Sequence, residues 1–223
     1  MSDIDFTIIG SGAGGSVAGN ELLNNGYSVE IFEEGINFNN QTMSLMDSIS
    51  NLWRNNGINL FHGNPILNFG EGKCVGGSTV INGGVIARTD EKILYQWDNL
   101  LGENFFLNDD FFKECQIVEN NLIPESKNST PENVSNSSKI LIDAAKKKNY
   151  ITKPAKLAFN NINIDHNKPF GCNTGTKNSL DKNYHKNILN KGGKIISGTK
   201  VLKIIYEKNV ITKIIVQRNN AEK

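Results

Sequence analysis

Cysteine is scarce: Cys74, Cys115 and Cys172 are the only three in 223 residues. An odd count without C-x-x-C spacing excludes a disulfide framework and a zinc finger or ribbon, and a reducing, cytoplasmic setting is expected. Histidine is equally scarce, and the spacing of His62, His166 and His185 offers no metal site. Charge of one sign is lacking too. Lys plus Arg is 24 and Asp plus Glu is 23, for a net charge of +1. That balance excludes a dedicated nucleic-acid binder, which would be strongly basic, and an acidic solvating tail. No apolar run approaches the roughly 18 residues of a membrane-spanning helix. No basic region precedes the first apolar run, so no secretory signal is expected. Hydrophobic residues make up 38% of the chain, low for a globule but above the disordered range. The length corresponds to about one and a half domains at roughly 150 residues each, enough to bury a core without staples.

Against those absences, both ends of the chain carry pattern. Residues 5–9 (Asp-Phe-Thr-Ile-Ile) form a short apolar run that stops at Gly10, as a buried parallel strand does. Residues 12–25 repeat Val17, Ala18, Leu22 and Leu23 at helical spacing and stop at Gly26. Residues 28–33 (Ser-Val-Glu-Ile-Phe-Glu) read as a second strand, which completes a βαβ unit. Residues 36–72 show weak periodicity. Helices are expected at 93–101, 109–122, from a Ser137 or Ser138 cap to Asn149, and at 181–191. Ile/Val-rich strands are expected at 194–197, 201–207 and 210–217, the last two split by a hairpin break at Lys208-Asn209. The fold class is α/β, Rossmann-like, with a parallel sheet at the start and late strands ending in a hairpin.

The first motif is Gly10-Ser-Gly12-Ala13-Gly14-Gly15, a G-x-G-x-x-G that follows a strand and opens a helix. Gly10 permits the tight turn, Gly12 lets the backbone approach a pyrophosphate, and Gly15 lets helix and strand pack closely. The N–H groups of Ala13 and Gly14 at the helix start face the phosphates. Glu33 ends the second strand close to the expected distance of about 20 residues onward, where its carboxylate can accept from ribose hydroxyls and repel a 2′-phosphate. These residues disfavour NADP and leave FAD and NAD open.

The second motif is Gly72-Lys-Cys-Val-Gly-Gly77-Ser78-Thr-Val-Ile-Asn82-Gly83-Gly. Together with the first, it resembles the signature of the glucose–methanol–choline (GMC) oxidoreductases, FAD enzymes that oxidise alcohols. Trp97 and Gly102 follow as the Trp and Gly do in that family. Gly171-Cys-Asn-Thr-Gly-Thr-Lys-Asn-Ser, Tyr184 and Gly192-Gly-Lys-Ile-Ile are similar to a later stretch in long-chain-alcohol and sugar-acid members. The resemblance implies that Gly77 and Ser78 lie against the flavin pyrophosphate and ribityl chain. It places Asn82 and Gly83 beside the isoalloxazine ring, Val85 at the flavin, and the Val201 backbone at the adenine. Small residues at 76–79 and 83–84 suit a flavin floor that admits substrate. Some relatives attach FAD covalently through a His just before the Asn; Ile81 stands there in this chain, so noncovalent FAD is expected.

The resemblance also implies what lies elsewhere. Family members are longer, and their substrate sheet and catalytic His fall beyond the position matching Lys223. The chain is therefore expected to be the N-terminal FAD-binding part, residues 1–223, incomplete at its C-terminus, with an irregular and helical insertion at about 103–190. The catalytic base, the choice of alcohol and the electron acceptor would belong to the rest of the protein or to a partner subunit, with hydride passing from the alcohol carbon to flavin N5. Two other readings compete: a noncatalytic truncated nucleotide-binding module, and an NAD-dependent dehydrogenase, against which the second motif argues. All three histidines read as surface residues, Cys74 as packing, and Cys172 as the more reactive of the two loop thiols with a structural role still favoured.

Overall fold

Phe6–Ile9 forms β1, Ala13–Asn24 forms α1 and Val29–Phe32 forms β2, close to the bounds their patterns set. A computed structural model describes residues 4–38, 43–123, 135–153, 155–160, 170–172 and 174–218. These belong to two units, one drawn from Met1–Gly83 and His166–Lys223, the other from Gly84–Asp165. Between β2 and the second glycine motif lie α2 (Leu45–Leu52), β3 (Asn59–Phe61) and β4 (Leu67–Phe69), the last two an antiparallel pair. Sequence periodicity had given none of these three.

The first unit is organised around a parallel sheet. β1 pairs with β2, placing Ile8 opposite Ile31. β2 pairs with a strand from the far end of the chain, so that Ile31 also faces Ile195. The short helix Ser78–Ile81 is α3, Val85–Ile86 is β5, and the second unit's helices are α4 (Glu91–Leu101), α5 (Asp109–Leu122) and α6 (Asn136–Lys147), with β6 at Lys156–Leu157. Helix α7 (Tyr184–Asn190) and strand β7 (Lys194–Ile196) then return to the first unit. The sheet order is β1-β2-β7. Val29, Ile31 and Ile188 form its core, with Ile8, Leu22, Leu23 and Ile195 packed around them. Helix α1 lies close to the sheet because Gly19 has no side chain: a Cβ there would come within 3.1 Å of Ile31 Cδ1. A second core gathers Phe38, Leu52, Cys74, Val80 and Ile81 beneath the second glycine motif.

Among the described residues β1 pairs on one side only, and its apolar Phe6 and Ile9 are exposed. A strand between two neighbours would bury both. The chain closes with the hairpin β8 (Thr199–Glu207) and β9 (Val210–Arg218). Its turn residues, Lys208 and Asn209, both adopt positive φ, 47° and 65°, the geometry that matches the right-handed twist of a two-residue hairpin.

In the second unit, β5 and β6 pair antiparallel, with Val85 opposite Leu157. Helix α4 is capped by Asp90, whose side chain accepts from Lys92 N, and closes on Gly102 in the left-handed conformation. The cap of α6 is Ser135, two or three residues earlier than Ser137 or Ser138, because its hydroxyl accepts from Ser138 N. Glu119, buried on α5, pairs with Arg88 at 2.8 Å and Lys156 at 2.9 Å. No helix among the described residues is long and apolar enough to cross a membrane.

Candidate functional site

The two glycine motifs, more than sixty residues apart, meet in the first unit. They border one cleft of about 510 Å³, lined by Gly10, Gly12 and Ala13 from the first motif, Gly77, Ser78 and Thr79 from the second, Glu33 and Glu34 after β2, and Thr199, Lys200 and Val201 at the start of β8. The seam between the motifs leaves no space for a side chain on Gly77. A Cβ on Gly77 would stand 2.8 Å from Gly12 Cα, and Gly77 adopts φ +56°. Gly15 packs the first motif from below: a Cβ there would lie 2.0 Å from the Gly10 carbonyl oxygen. Gly10 turns at φ +92° and its N–H donates to Phe32 O, which fastens the loop to the end of β2.

Glu33 is buried, and its carboxylate already serves the loop. Its Oε2 accepts from Ser11 N at 2.9 Å and Ser11 Oγ at 2.8 Å, and its Oε1 accepts from Gly35 N at 2.8 Å. Three of about four lone-pair sites are thus engaged internally, leaving Oε1 one acceptor site for a ligand. Ser11 Oγ in turn accepts from Gly76 N at 3.1 Å, so this one buried hydroxyl joins the acidic end of the cleft to the second motif. Ser11 occupies the unspecified position of the G-x-G-x-x-G, and a long-range contact of this kind has no spacing signature.

The cleft rim carries charges that the sequence also did not single out. The Arg54 guanidinium pairs with Glu34 and, through Nε, with Glu71 at 3.0 Å. Lys200 Nζ lies 3.9 Å from the other Glu34 oxygen. The Glu34 carboxylate, chiefly, holds the arginine's pKa above its ordinary value. Each cation at this end is therefore matched by a carboxylate, and Glu33 adds a further negative charge.

Other positions named from sequence fall as follows. Gly14 and Gly15 lie in the first turn of α1 and do not line the cleft. Asn82 and Gly83 follow α3, are exposed, and also lie outside the lining. Val85 lies on β5, in the other unit. The turn at Asn82 is held from beneath by Lys177, 1% exposed, whose Nζ donates to Val80 O at 2.8 Å and Asn82 O at 2.5 Å. A buried lysine with carbonyl partners at the end of a helix satisfies acceptors that would otherwise be orphaned. Cys74 is fully buried, and desolvation, followed by the nearby Glu33 and Asp181 charges, pushes its thiol up to about 12. That thiol is inert at neutral pH, as its packing role requires. Cys172 is likewise buried and accepts from Lys177 N.

The histidine expectation needs one correction. His62 is exposed, and His166 lies outside the described residues. His185 is not a surface residue: it is 2% exposed, packed beneath the first glycine motif. Its neighbours Lys186 and Asn187 gave α7 a polar composition, but the short helix turns His185 inward beside buried Tyr184 and Ile188.

Comparison with known proteins extends this picture. The GMC oxidoreductase family model matches residues 5–222. An uncharacterised GMC-type oxidoreductase of Sinorhizobium fredii is 26% identical over 221 residues, which is 98% of this chain and 43% of that protein. A long-chain-alcohol oxidase of Arabidopsis thaliana is 24% identical over 216 residues, 92% of this chain and 27% of that one. Among solved structures, pyridoxine 4-oxidase from Mesorbium loti superposes with a TM-score of 0.65 at 14% identity, covering 98% of this chain and 47% of the other. Formate oxidase superposes with a TM-score of 0.63 at 14% identity, covering 96% and 42%. The chain spans less than half the length of each of these proteins.

Proposed function

The chain belongs to the GMC oxidoreductase family, whose cofactor is FAD, and on that premise we propose that it is the FAD-holding part of an oxidoreductase acting on the CH–OH group of an alcohol. The single observation that carries this reading is the seam between the glycine motifs. Gly12 and Gly77 meet where a side chain on Gly77 would strike backbone, and together they form one wall of the cleft. A simple nucleotide-binding loop needs the first motif alone. A second glycine segment seated on it supports a cofactor whose part beyond the pyrophosphate also runs against close backbone, as the ribityl chain of a flavin would.

The residues present fit FAD. The cleft volume of about 510 Å³ falls within the usual range of about 300–1,000 Å³ for cofactor sites. Gly10, Gly12, Ala13 and Gly77 would take the pyrophosphate. Glu33 would offer its remaining Oε1 acceptor to a ribose hydroxyl, and its charge would exclude a 2′-phosphate. Val201 would lie along the adenine. Ser78 would border the ribityl chain, although its hydroxyl already accepts from Gly72 N at 2.9 Å. Asn82 and Gly83 would border the ring system. No histidine stands at position 81, so attachment would be noncovalent.

When bound, the flavin supplies the acceptor for the hydride that leaves the alcohol carbon. This chain's residues hold and orient it. The Lys177 ammonium fixes the Asn82 turn, and Ser11 couples Glu33 to the second motif. Among the described residues neither His62 nor His185 is placed to take a hydroxyl proton at that turn: one is exposed on another loop and the other is buried under the first motif. We assign that base to polypeptide outside this chain, in keeping with relatives of which it covers only 27–47%. The alcohol and the electron acceptor would be chosen there too.

The test is a binding titration with FAD, ADP and NADH. FAD binding that ADP competes away, with no NADH binding, is the expected result. NADH binding without FAD binding would replace this reading with a nicotinamide enzyme.

A further inference from the structure

We infer that His185 is a positioning residue for the phosphate-binding loop: its ring holds the Ser11–Gly12 peptide in the orientation that presents an N–H to the cofactor pyrophosphate. The inference rests on the FAD reading and concerns a residue that sequence gave no reason to connect with the loop.

The geometry is specific. His185 Nε2 lies 2.7 Å from Ser16 Oγ and 3.1 Å from the Ser11 carbonyl oxygen. Ser16 Oγ donates its own hydrogen to that same carbonyl at 2.8 Å. The hydroxyl hydrogen is therefore committed, and only a Ser16 lone pair remains to face the ring. It follows that Nε2 carries the ring hydrogen and donates it to Ser16 Oγ and Ser11 O. The other nitrogen, Nδ1, is buried without a hydrogen-bond partner, as suits a bare lone pair better than an N–H. The ring is neutral in this arrangement. Burial pushes its pKa below 6.5, against the opposing pull of the Ser11 carbonyl and the Asp181 and Glu33 carboxylates.

A peptide group is planar and trans, so its C=O and the following N–H point in opposite directions. The Ser11 carbonyl is drawn into the interior by two donors, Ser16 Oγ and His185 Nε2. The Gly12 N–H, on the opposite edge of the same plane, is thereby turned away from the interior, on the side where Gly12 lines the cleft. The side chain and N–H of Ser11 are fixed independently by Glu33 and Gly76. Rotation of the 11–12 peptide would break the His185 and Ser16 contacts together. Helix α7, which carries the ring, is itself anchored by Ile188 in the sheet core. The imidazole thus transmits the position of α7 to the loop.

The experiment compares ADP, which reaches the pyrophosphate site, with adenosine, which does not, on the polypeptide as its gene encodes it. His185→Leu keeps similar bulk and removes the donor; His185→Gln keeps an N–H at similar reach. Loss of a buried donor–acceptor contact corresponds to about a tenfold change in affinity. We expect His185→Leu to weaken ADP about tenfold and adenosine less than about twofold, with His185→Gln restoring most of the ADP affinity. If His185→Leu does not fold, Ser16→Ala removes the ring's partner from the other side, and the same ADP-selective weakening is expected. Equal weakening of ADP and adenosine in these variants, or unchanged ADP affinity, overturns the inference while leaving FAD binding intact. Wild-type protein that binds none of FAD, ADP and adenosine overturns the FAD reading and the inference with it.

Discussion

Replacing Gly12 and Gly15 separately by alanine should divide ligand binding from folding. Gly12 has φ −72°, a value any residue adopts. A Cβ built on it meets nothing closer than Gly77 Cα at 3.9 Å, an ordinary contact. The fold should accept Gly12→Ala without strain, and alanine at a compatible site can stabilise by about 0.4–1 kcal/mol through the unfolded chain. The methyl group, however, stands on the cleft wall where two phosphates must approach the backbone. Gly15 is the opposite case. Its Cβ would stand 2.0 Å from Gly10 O and 3.1 Å from Ile8 Cγ2, whereas even a close C···O contact needs about 3.3 Å. Gly10 is fastened to Phe32 O at 2.8 Å, so relief requires moving helix α1 off the strand by more than an ångström. Overpacking of this kind costs about 3 kcal/mol, or roughly 6–12 °C in Tm for a protein of this size. Thermal melts of the apoprotein and FAD titration by quenching of flavin fluorescence read the two effects. Gly12→Ala should melt no lower than wild type and up to about 4 °C above it, and bind FAD at least about tenfold more weakly. Gly15→Ala should lose both stability and binding. Unimpaired FAD binding by Gly12→Ala, or a wild-type melt for Gly15→Ala, would refute the division of roles.

Lys177→Met removes the donor from the buried Val80 carbonyl and the part-buried Asn82 carbonyl and should destabilise the protein by about 1–3 kcal/mol, seen as a lower denaturation midpoint; an unchanged midpoint would show that water replaces the ammonium. Because burial lowers the His185 pKa in the folded state, the unfolded chain takes up a proton first as pH falls through 6.5. The His185 contribution to stability is therefore present above pH 6.5 and declines below it, by up to about 1.4 kcal/mol per pH unit, until the folded pKa is reached. Denaturation at pH 5 to 8 should show this decline in wild type and a smaller one in His185→Gln, with Asp181 and Glu33 as the facing charges in both. Cys74, with its thiol pushed up to about 12, should resist a thiol reagent until the protein unfolds; rapid labelling in native buffer would contradict its burial. Glu33→Gln should weaken adenosine and FAD alike by about tenfold, because the neutral amide offers Ser11 and a ribose a poorer acceptor; an unchanged adenosine affinity would remove Glu33 from the ligand site.

The elements that were legible in sequence are those whose pattern is local. β1, α1 and β2 follow from an apolar run, a 3.6-residue repeat and a glycine stop. Helix α5 matches its expected bounds because Asn108 caps it and acidic residues fill its first turn. The β8–β9 hairpin follows from two Ile/Val runs around a two-residue break. What was hidden is non-local. β3 and β4 are three residues each, too short for alternation to register. β7 was legible as a strand, but its pairing with β2 from more than 160 residues away was not. The same holds at the cleft: both glycine motifs and Glu33 carry fixed spacing and were readable, whereas Ser11, Arg54 and Glu34 owe their place to contacts between distant segments. Composition misled at His185, because a seven-residue helix rich in Lys and Asn conceals how few of its positions face the core.

The most direct test of the account is the visible spectrum of the purified chain, before and after acid precipitation. Flavin absorption is expected in the native protein, or on adding FAD to it, with all of that colour in the supernatant as intact FAD once the protein is precipitated. Colour retained in the pellet would contradict noncovalent attachment, and a colourless protein that does not take up added FAD would contradict the central claim that this cleft holds the cofactor.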